Sequence, residues 1–254
     1  MKQIASLLLC FLIFGCKKTG ETVKPISLLG KFKSISIDLG TEQKRTISFT
    51  YDAKGVLNKV ETNDALNKTT ETLTFVRDSA QRIVSYGSTQ DKIASKFTVQ
   101  RQDNLISQIA NEGLDRIAKK FRYNTAKQVI VYSKTNYANN SPSFSGTAQY
   151  NWLNGNPTEI KNSLQKGEYE EENWTYESRE NPIAIFYAEA IGFPQEEPLF
   201  MSKQLPATRQ LLYADDKYKF GSRFDINQVL KIIDVSKYDG SKWVLLGTYT
   251  IAYY

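Results

Sequence analysis

The side chains of this 254-residue chain that could do chemistry are carboxylates, tyrosines and tryptophans, because the sequence holds no histidine and only two cysteines. Without histidine there is no Ser-His-Asp or Cys-His relay, no imidazole base and no zinc site of the usual histidine-containing kinds. The densest carboxylate cluster is EYEEENWTYESRE, with Glu168, Glu170, Glu171, Glu172, Glu177 and Glu180. A glycosidase-type acid pair or a cation site would need several of these on one side, yet consecutive residues of a strand alternate faces and no calcium-loop spacing is present. The cluster therefore reads as a solvated edge or loop. Trp152, Trp174 and Tyr176 are the ligand-binding candidates, since indole and phenol groups need polar partners that a dry core seldom offers. The competing reading is that the aromatics form the core face of a sheet. No acid is paired with a nucleophile at a workable spacing, so neither an enzyme, a cofactor nor a metal is expected.

The elements that must position these residues follow from a repeat. An aromatic, any residue, a bulky residue, a turn-type stretch and an aliphatic run recur from Phe49, Phe75, Phe97, Phe121, Tyr150, Trp174 and Tyr218. Two large residues at i and i+2 lie on one face of a strand. Asp52…Gly55, Asp78-Ser79, Asp103-Asn104, Asn124-Thr125, Asn154-Gly155-Asn156-Pro157, Asn181-Pro182 and Gly221-Ser222 supply turn chemistry. Return strands read VLNKV, RIVSY, LISQI, QVIVY, TEI, IAIF and VLKII. The expectation is an all-β chain, a single large curved antiparallel sheet or partly closed barrel built from about seven β-hairpin repeats. A Pro-interrupted insertion at about 192–214 interrupts the last step, and Pro206 could open a short helix there.

The amino terminus, MKQIASLLLCFLIFGC, has a lysine, an apolar run too short to span a bilayer, and a small residue before cysteine. Ile13-Phe14-Gly15-Cys16 resembles a bacterial lipobox, which implies cleavage before Cys16 and acylation of that cysteine by diacylglycerol and a palmitate-type chain. Residues 1–15 are then a lipoprotein signal peptide, 16–30 the lipidated cysteine with a polar tether, and 31–254 one domain. Multiple acyl chains hold a protein to a membrane far more firmly than one. Lys17 in place of an aspartate favours the outer membrane. The formal charge of +6 is scattered without a basic run, so nucleic acid is not an expected partner.

The copy YDAKGVLNKV resembles the YD-type hairpin repeat of large bacterial surface proteins. The Cys16 lipobox, Tyr150-Asn151-Trp152-Leu153-Asn154-Gly155-Asn156-Pro157 and Tyr176-Glu177-Ser178-Arg179-Glu180-Asn181-Pro182 together resemble a family of uncharacterised exported Bacteroidota lipoproteins, a domain of unknown function with a porin-like fold. The resemblance implies a curved antiparallel sheet that closes wholly or partly, and no activity. It does not imply a pore: Arg77, Arg101 and Arg122 interrupt the strands, and GTYTIAYY alternates with small residues. Asp78-Ser79-Ala80 resembles the O-glycosylation signal of such envelopes, making Ser79 a candidate acceptor. The functional expectation is a lipid-anchored, non-catalytic binding or scaffold module that presents its sheet to a glycan, small ligand or envelope protein. The alternative is a carrier that encloses a lipid or other hydrophobic molecule.

Overall fold

The computed structural model describes residues 32–113, 116–164 and 169–254. Cys16 and the signal, lipidation and tether assignments lie outside the described residues. The strands run β1 (Phe32–Asp38), β2 (Lys44–Tyr51), β3 (Leu57–Asp64), β4 (Thr69–Arg77), β5 (Ile83–Gln90), β6 (Ile93–Gln102), β7 (Leu105–Asn111) and β8 (Ile117–Tyr123). They continue as β9 (Val129–Ala138), β10 (Ser141–Leu153), β11 (Asn156–Leu164) and β12 (Tyr169–Glu180), then the helix α1 (Pro182–Ala190) and a single 3-10 turn (Pro198–Phe200). The last four are β13 (Gln204–Leu211), β14 (Asp216–Phe224), β15 (Leu230–Tyr238) and β16 (Trp243–Tyr253).

Each strand pairs antiparallel with its neighbours in sequence, and β1 pairs with β16, so the sheet closes into a 16-strand barrel. This overturns the expected partly closed sheet of about seven hairpins. The seven aromatic starts fall on β2, β4, β6, β8, β10, β12 and β14, as the repeat predicts, but β1 and β16 carry no full copy and went uncounted. Their seam aligns Ile35 with Ile251 and Ile37 with Tyr249, and the closure removes both sheet edges.

The face pattern is the reverse of a membrane-spanning barrel. Outward residues of β2 are Lys44, Thr46, Ser48 and Thr50, and those of β4 include Thr70, Thr72 and Thr74. Phe49, Phe75, Phe97, Phe121, Tyr150, Trp174, Tyr218 and Tyr249 are buried inside. A lipid-facing strand carries its apolar row outside. Two of the three strand-interrupting arginines, Arg77 and Arg101, point inward and give hydrogen bonds to Leu57 O and Ile83 O, while Arg122 is exposed. No helix among the described residues is long and apolar enough to cross a membrane.

The two ends of the barrel differ. The lower end carries residues 32 and 253 and the turns that follow the even-numbered strands; the upper end carries the turns that follow the odd ones. Four lower turns share one geometry: Asp52, Asp78, Asn124 and Asp225 each bond through the backbone N–H to the carbonyl four residues on. The side chain of each also accepts from the N–H of that same residue. The fourth residue of each turn takes positive φ, as Gly55 (74°), Gln81 (62°), Lys127 (62°) and Gln228 (60°). Asp103-Asn104 and Asn154-Gly155 make two-residue turns with both φ positive, the conformation that matches strand twist. Gly221-Ser222 is not a turn; it lies within β14, and Asp225 turns the chain instead.

The bulky residue of the repeat has a defined task. At each even strand from β2 to β14 the register slips near the lower end. The slip comes immediately before the bulky residue at Tyr51, Arg77, Tyr123, Trp152 and Tyr176. It comes further along at Arg101 on β6, two residues after Val99, and at Phe224 on β14, four residues after Phe220. The bulged side chain crosses to a backbone carbonyl of the adjacent preceding odd strand. Tyr51 donates to Phe32 O (2.9 Å), Arg77 to Leu57 O (3.1 Å), Arg101 to Ile83 O (2.8 Å) and Tyr123 to Ile106 O (2.7 Å). Trp152 donates to Val129 O (2.6 Å), Tyr176 to Pro157 O, and Tyr253 of β16 to Leu230 O (2.8 Å). Phe224 has no donor and lies instead under the Arg179 guanidinium at 4.4 Å. The result is a girdle of side-chain bonds around the lower end.

Residues 181–203 enter the barrel rather than forming the expected return strand IAIF. Asn181 caps α1 by accepting from Ile183 N and Ala184 N, and Pro182 occupies the first turn, where its missing N–H costs nothing. Ile183, Phe186, Tyr187 and Ala190 recur at helical spacing and are buried. Phe186 stacks on Phe32 with ring centres 4.5 Å apart and meets Phe49 edge-on at 4.9 Å. The insertion therefore spans 181–203, not 192–214. Pro206 sits in β13 opposite Tyr176, not at a helix start. A wall of 16 strands encloses more space than its own side chains fill, and open barrels of that size hold a water channel. Here the inserted segment occupies the interior.

Candidate functional site

The inserted segment divides the lumen into an upper and a lower cavity, each about 610 Å³, with no lining residue in common. That volume is typical of small-molecule sites. The segment is pinned by named contacts. Asn181, fully buried, donates to Leu199 O (2.7 Å) and Ser202 Oγ (3.2 Å). Buried Asn156 donates to Gln204 Oε1 (2.7 Å) and accepts from Gln204 N (2.8 Å). The Asn-Gly-Asn-Pro motif thus turns β10 into β11 and clamps the end of the insertion. Arg77 donates to Ala190 O (2.7 Å) at the end of α1, and Phe193 packs against Phe75 and Tyr86.

The upper cavity is floored by Glu196, Glu197, Pro198 and Leu199. Its walls hold paired charges. Glu172 takes a two-point bond from Arg209, at 2.7 and 3.0 Å, and accepts from Trp174 Nε1 at 2.8 Å. The Arg209 guanidinium lies over Trp174 and Tyr218 at 5.6 and 5.5 Å. Burial works to lower the Arg209 pKa, but the Glu172 bonds outweigh it and hold it above the ordinary value. Lys119 meets Glu196 at 3.2 Å and Arg45 meets Glu197 at 3.0 Å, tying the floor to β8 and β2.

Two inward charges, Lys134 and Glu170, line the same cavity and form no ion pair among the described residues. Small residues Gly146 and Ala148 leave the space between the walls. The Tyr132 hydroxyl is buried without a hydrogen bond of ordinary geometry; burial, with the Glu196 carboxylate beside it, pushes its pKa well above the usual tyrosine value. The cavity thus offers one buried donor, one open cation and one open anion among aromatic walls. Exposed apolar residues lie around the same end, including Ile93, Tyr213 and Trp243.

The sequence-predicted residues do not form one site. Trp174 lines the upper cavity, Trp152 the lower one, and Tyr176 is held by Pro157 O. Of the glutamates, Glu170 and Glu172 share the inward face and Glu171 faces outward to Lys161. Ser79 is exposed in the turn between β4 and β5. Missed from sequence were Arg209, Tyr132, Lys134 and the floor glutamates. Glu196 and Glu197 had a visible signal, two acids inside an apolar insertion. No group of three or more metal-ligating side chains occurs among the described residues.

Fold and cavities together define a closed antiparallel barrel with a polar exterior and an occupied lumen, of the porin-like class. No protein-family model matches the sequence, and no curated protein does. Among solved structures the chain is similar to a porin-like protein from Bacteroides uniformis ATCC 8492. That match has a TM-score of 0.57 at 9% identity and covers 91% of this chain and 99% of that one. A porin-like protein from Bacteroides vulgatus ATCC 8482 also matches, with a TM-score of 0.38 at 11% identity over 88% and 98% of the two chains. The first of these likenesses supports the fold.

Proposed function

We propose that this protein is a non-catalytic binding barrel of the bacterial envelope, anchored by lipid at Cys16, that holds a small polar ligand in the upper cavity. The observation that carries this reading is the 610 Å³ space in which the buried Tyr132 hydroxyl, without a hydrogen bond of ordinary geometry, and the unpaired charges of Lys134 and Glu170 stand between aromatic walls. Aromatic faces with a few fixed polar groups suit a sugar-sized ligand better than an acyl chain. The three acid–base pairs of wall and floor neutralise one another, so they fix the shape of the pocket rather than act as acid and base. The polar outer face fits a barrel tethered beside a membrane rather than embedded in one.

The test is tryptophan fluorescence titration with oligosaccharides from envelope polysaccharides. A saturable change is expected that is lost in Trp174→Phe and weakened at least tenfold in Lys134→Ala or Glu170→Ala, with no product formed. Absence of binding across the panel, or turnover of any member, would overturn the reading. The anchor is tested separately: Cys16→Ser should move the protein from the membrane to the soluble fraction.

A further inference from the structure

The lower cavity differs in chemistry from the upper one. It lies between the inserted segment and the inner wall from β6 to β10 with the turns at their lower ends, and Ile106, Val129, Trp152, Ala184, Phe193 and Phe200 give it apolar walls. Four cations line it, Arg82, Arg101, Lys127 and Lys203, against one carboxylate, Glu180. Arg82 is paired with Asp78 at 2.8 Å and Arg101 donates to Ile83 O, while Lys127 and Lys203 join no ion pair among the described residues. The aliphatic stem of Lys203 crosses Gly155, 3.1 Å from where a β-carbon there would stand, and so reaches over the β10–β11 turn. Lys127 occupies the neighbouring turn between β8 and β9. Burial and then the like charge of Arg82 lower the pKa of Arg101, with Asp78 and Tyr123 opposing them.

We propose that the lower cavity binds an anionic amphiphile, its carboxylate or phosphate head among Lys127, Lys203 and Arg101 and its apolar body against Trp152 and the α1 side of the inserted segment. An apolar slot alone accepts any greasy molecule; the excess of cations at its mouth selects the sign of the head group. The carboxylate head of a free fatty acid and the phosphate head of a lipid share this chemistry. The site is independent of the upper cavity, so either reading can fail without the other.

The experiment is calorimetric titration of the full-length protein with dodecanoate, dodecyl phosphate and dodecyltrimethylammonium, each below its micelle concentration, and with inorganic phosphate. Dodecanoate and dodecyl phosphate are expected to bind one to one, the cationic amphiphile and inorganic phosphate at least tenfold more weakly. Tighter binding by dodecyl phosphate than by dodecanoate would point to a lipid phosphate as the source, the reverse order to a fatty acid. Lys127→Gln/Lys203→Gln should weaken both anions at least tenfold with melting unchanged, because both residues are exposed. Trp152→Phe should abolish the fluorescence response to dodecanoate, and Trp174→Phe should keep it. Equal binding of the cationic amphiphile, full affinity in the double variant, or a response lost in Trp174→Phe instead would overturn the proposal.

Discussion

Gly247 stands on β16 where that strand passes the top of β1. A β-carbon there would lie 1.8 Å from Asp38 O and 2.8 Å from Leu39 Cα, so the seam strands can approach only because this residue has no side chain. The neighbour is backbone and cannot swing aside. Gly247→Ala should therefore cost at least the 1–3 kcal/mol typical of overpacking, about that or more, and melting should show it. A variant melting like the native protein would mean that the seam is laxer than its geometry. Glycine at this position looks unremarkable in LLGTYT, and only the strand beside it explains the requirement.

At the scale of the element, the repeat was legible because its causes are local: an inward aromatic, a bulge and an Asx-type turn all sit within about nine residues. What was not legible was why the third residue is large. Tyr, Arg and Trp share no hydropathy, but each carries a donor on a long arm, and each uses it on a carbonyl of the preceding odd strand. Tyr123→Phe keeps the ring and removes the donor, leaving Ile106 O unsatisfied; a loss of about 1 kcal/mol is expected on denaturant unfolding. The reverse change, Phe224→Tyr, is expected to be neutral, since Arg179 already covers that ring. The helix was misread for an equally physical reason. IAIF is as good a buried strand as a buried helix, and the deciding residue is Asn181, a turn former that here caps a helix. Asn181→Ala should cost about 1–2 kcal/mol through the lost cap alone, and more through the bonds to Leu199 and Ser202.

At the scale of the molecule, the buried tyrosines tie stability to alkaline pH. Burial raises the pKa of Tyr123 and Tyr253 from 10.0 to about 12. The folded state then keeps protons that the unfolded chain releases above pH 10. The contribution is fully present below pH 10 and is lost as pH rises from 10 to about 12. The melting temperature should hold up to pH 10 and fall across that window, and spectrophotometric titration should show a late class of tyrosines. A phenol titration complete at pH 10 would contradict this. The candidate cavities belong to this scale too, and that is why the sequence hid them. Lys134 and Glu170 lie three strands apart in a wall whose curvature is set by closure, and Glu196 reaches Lys119 only because a lumenal segment crosses to it.

The seam has one more consequence. Phe32 faces Tyr253 with ring centres 5.0 Å apart, and the β1–β16 contact is the antiparallel ladder found within every hairpin, while the Tyr253 and Tyr51 hydroxyls tie β16 to β15 and β2 to β1 as adjoining hairpins are tied elsewhere. The order in which the chain visits its hairpins is thus arbitrary with respect to the ring they make. Joining residues 32 and 253 by a short linker and cutting instead in the exposed turn at 65–68 should give a circular permutant with the same melting temperature within a few degrees and the same two cavities.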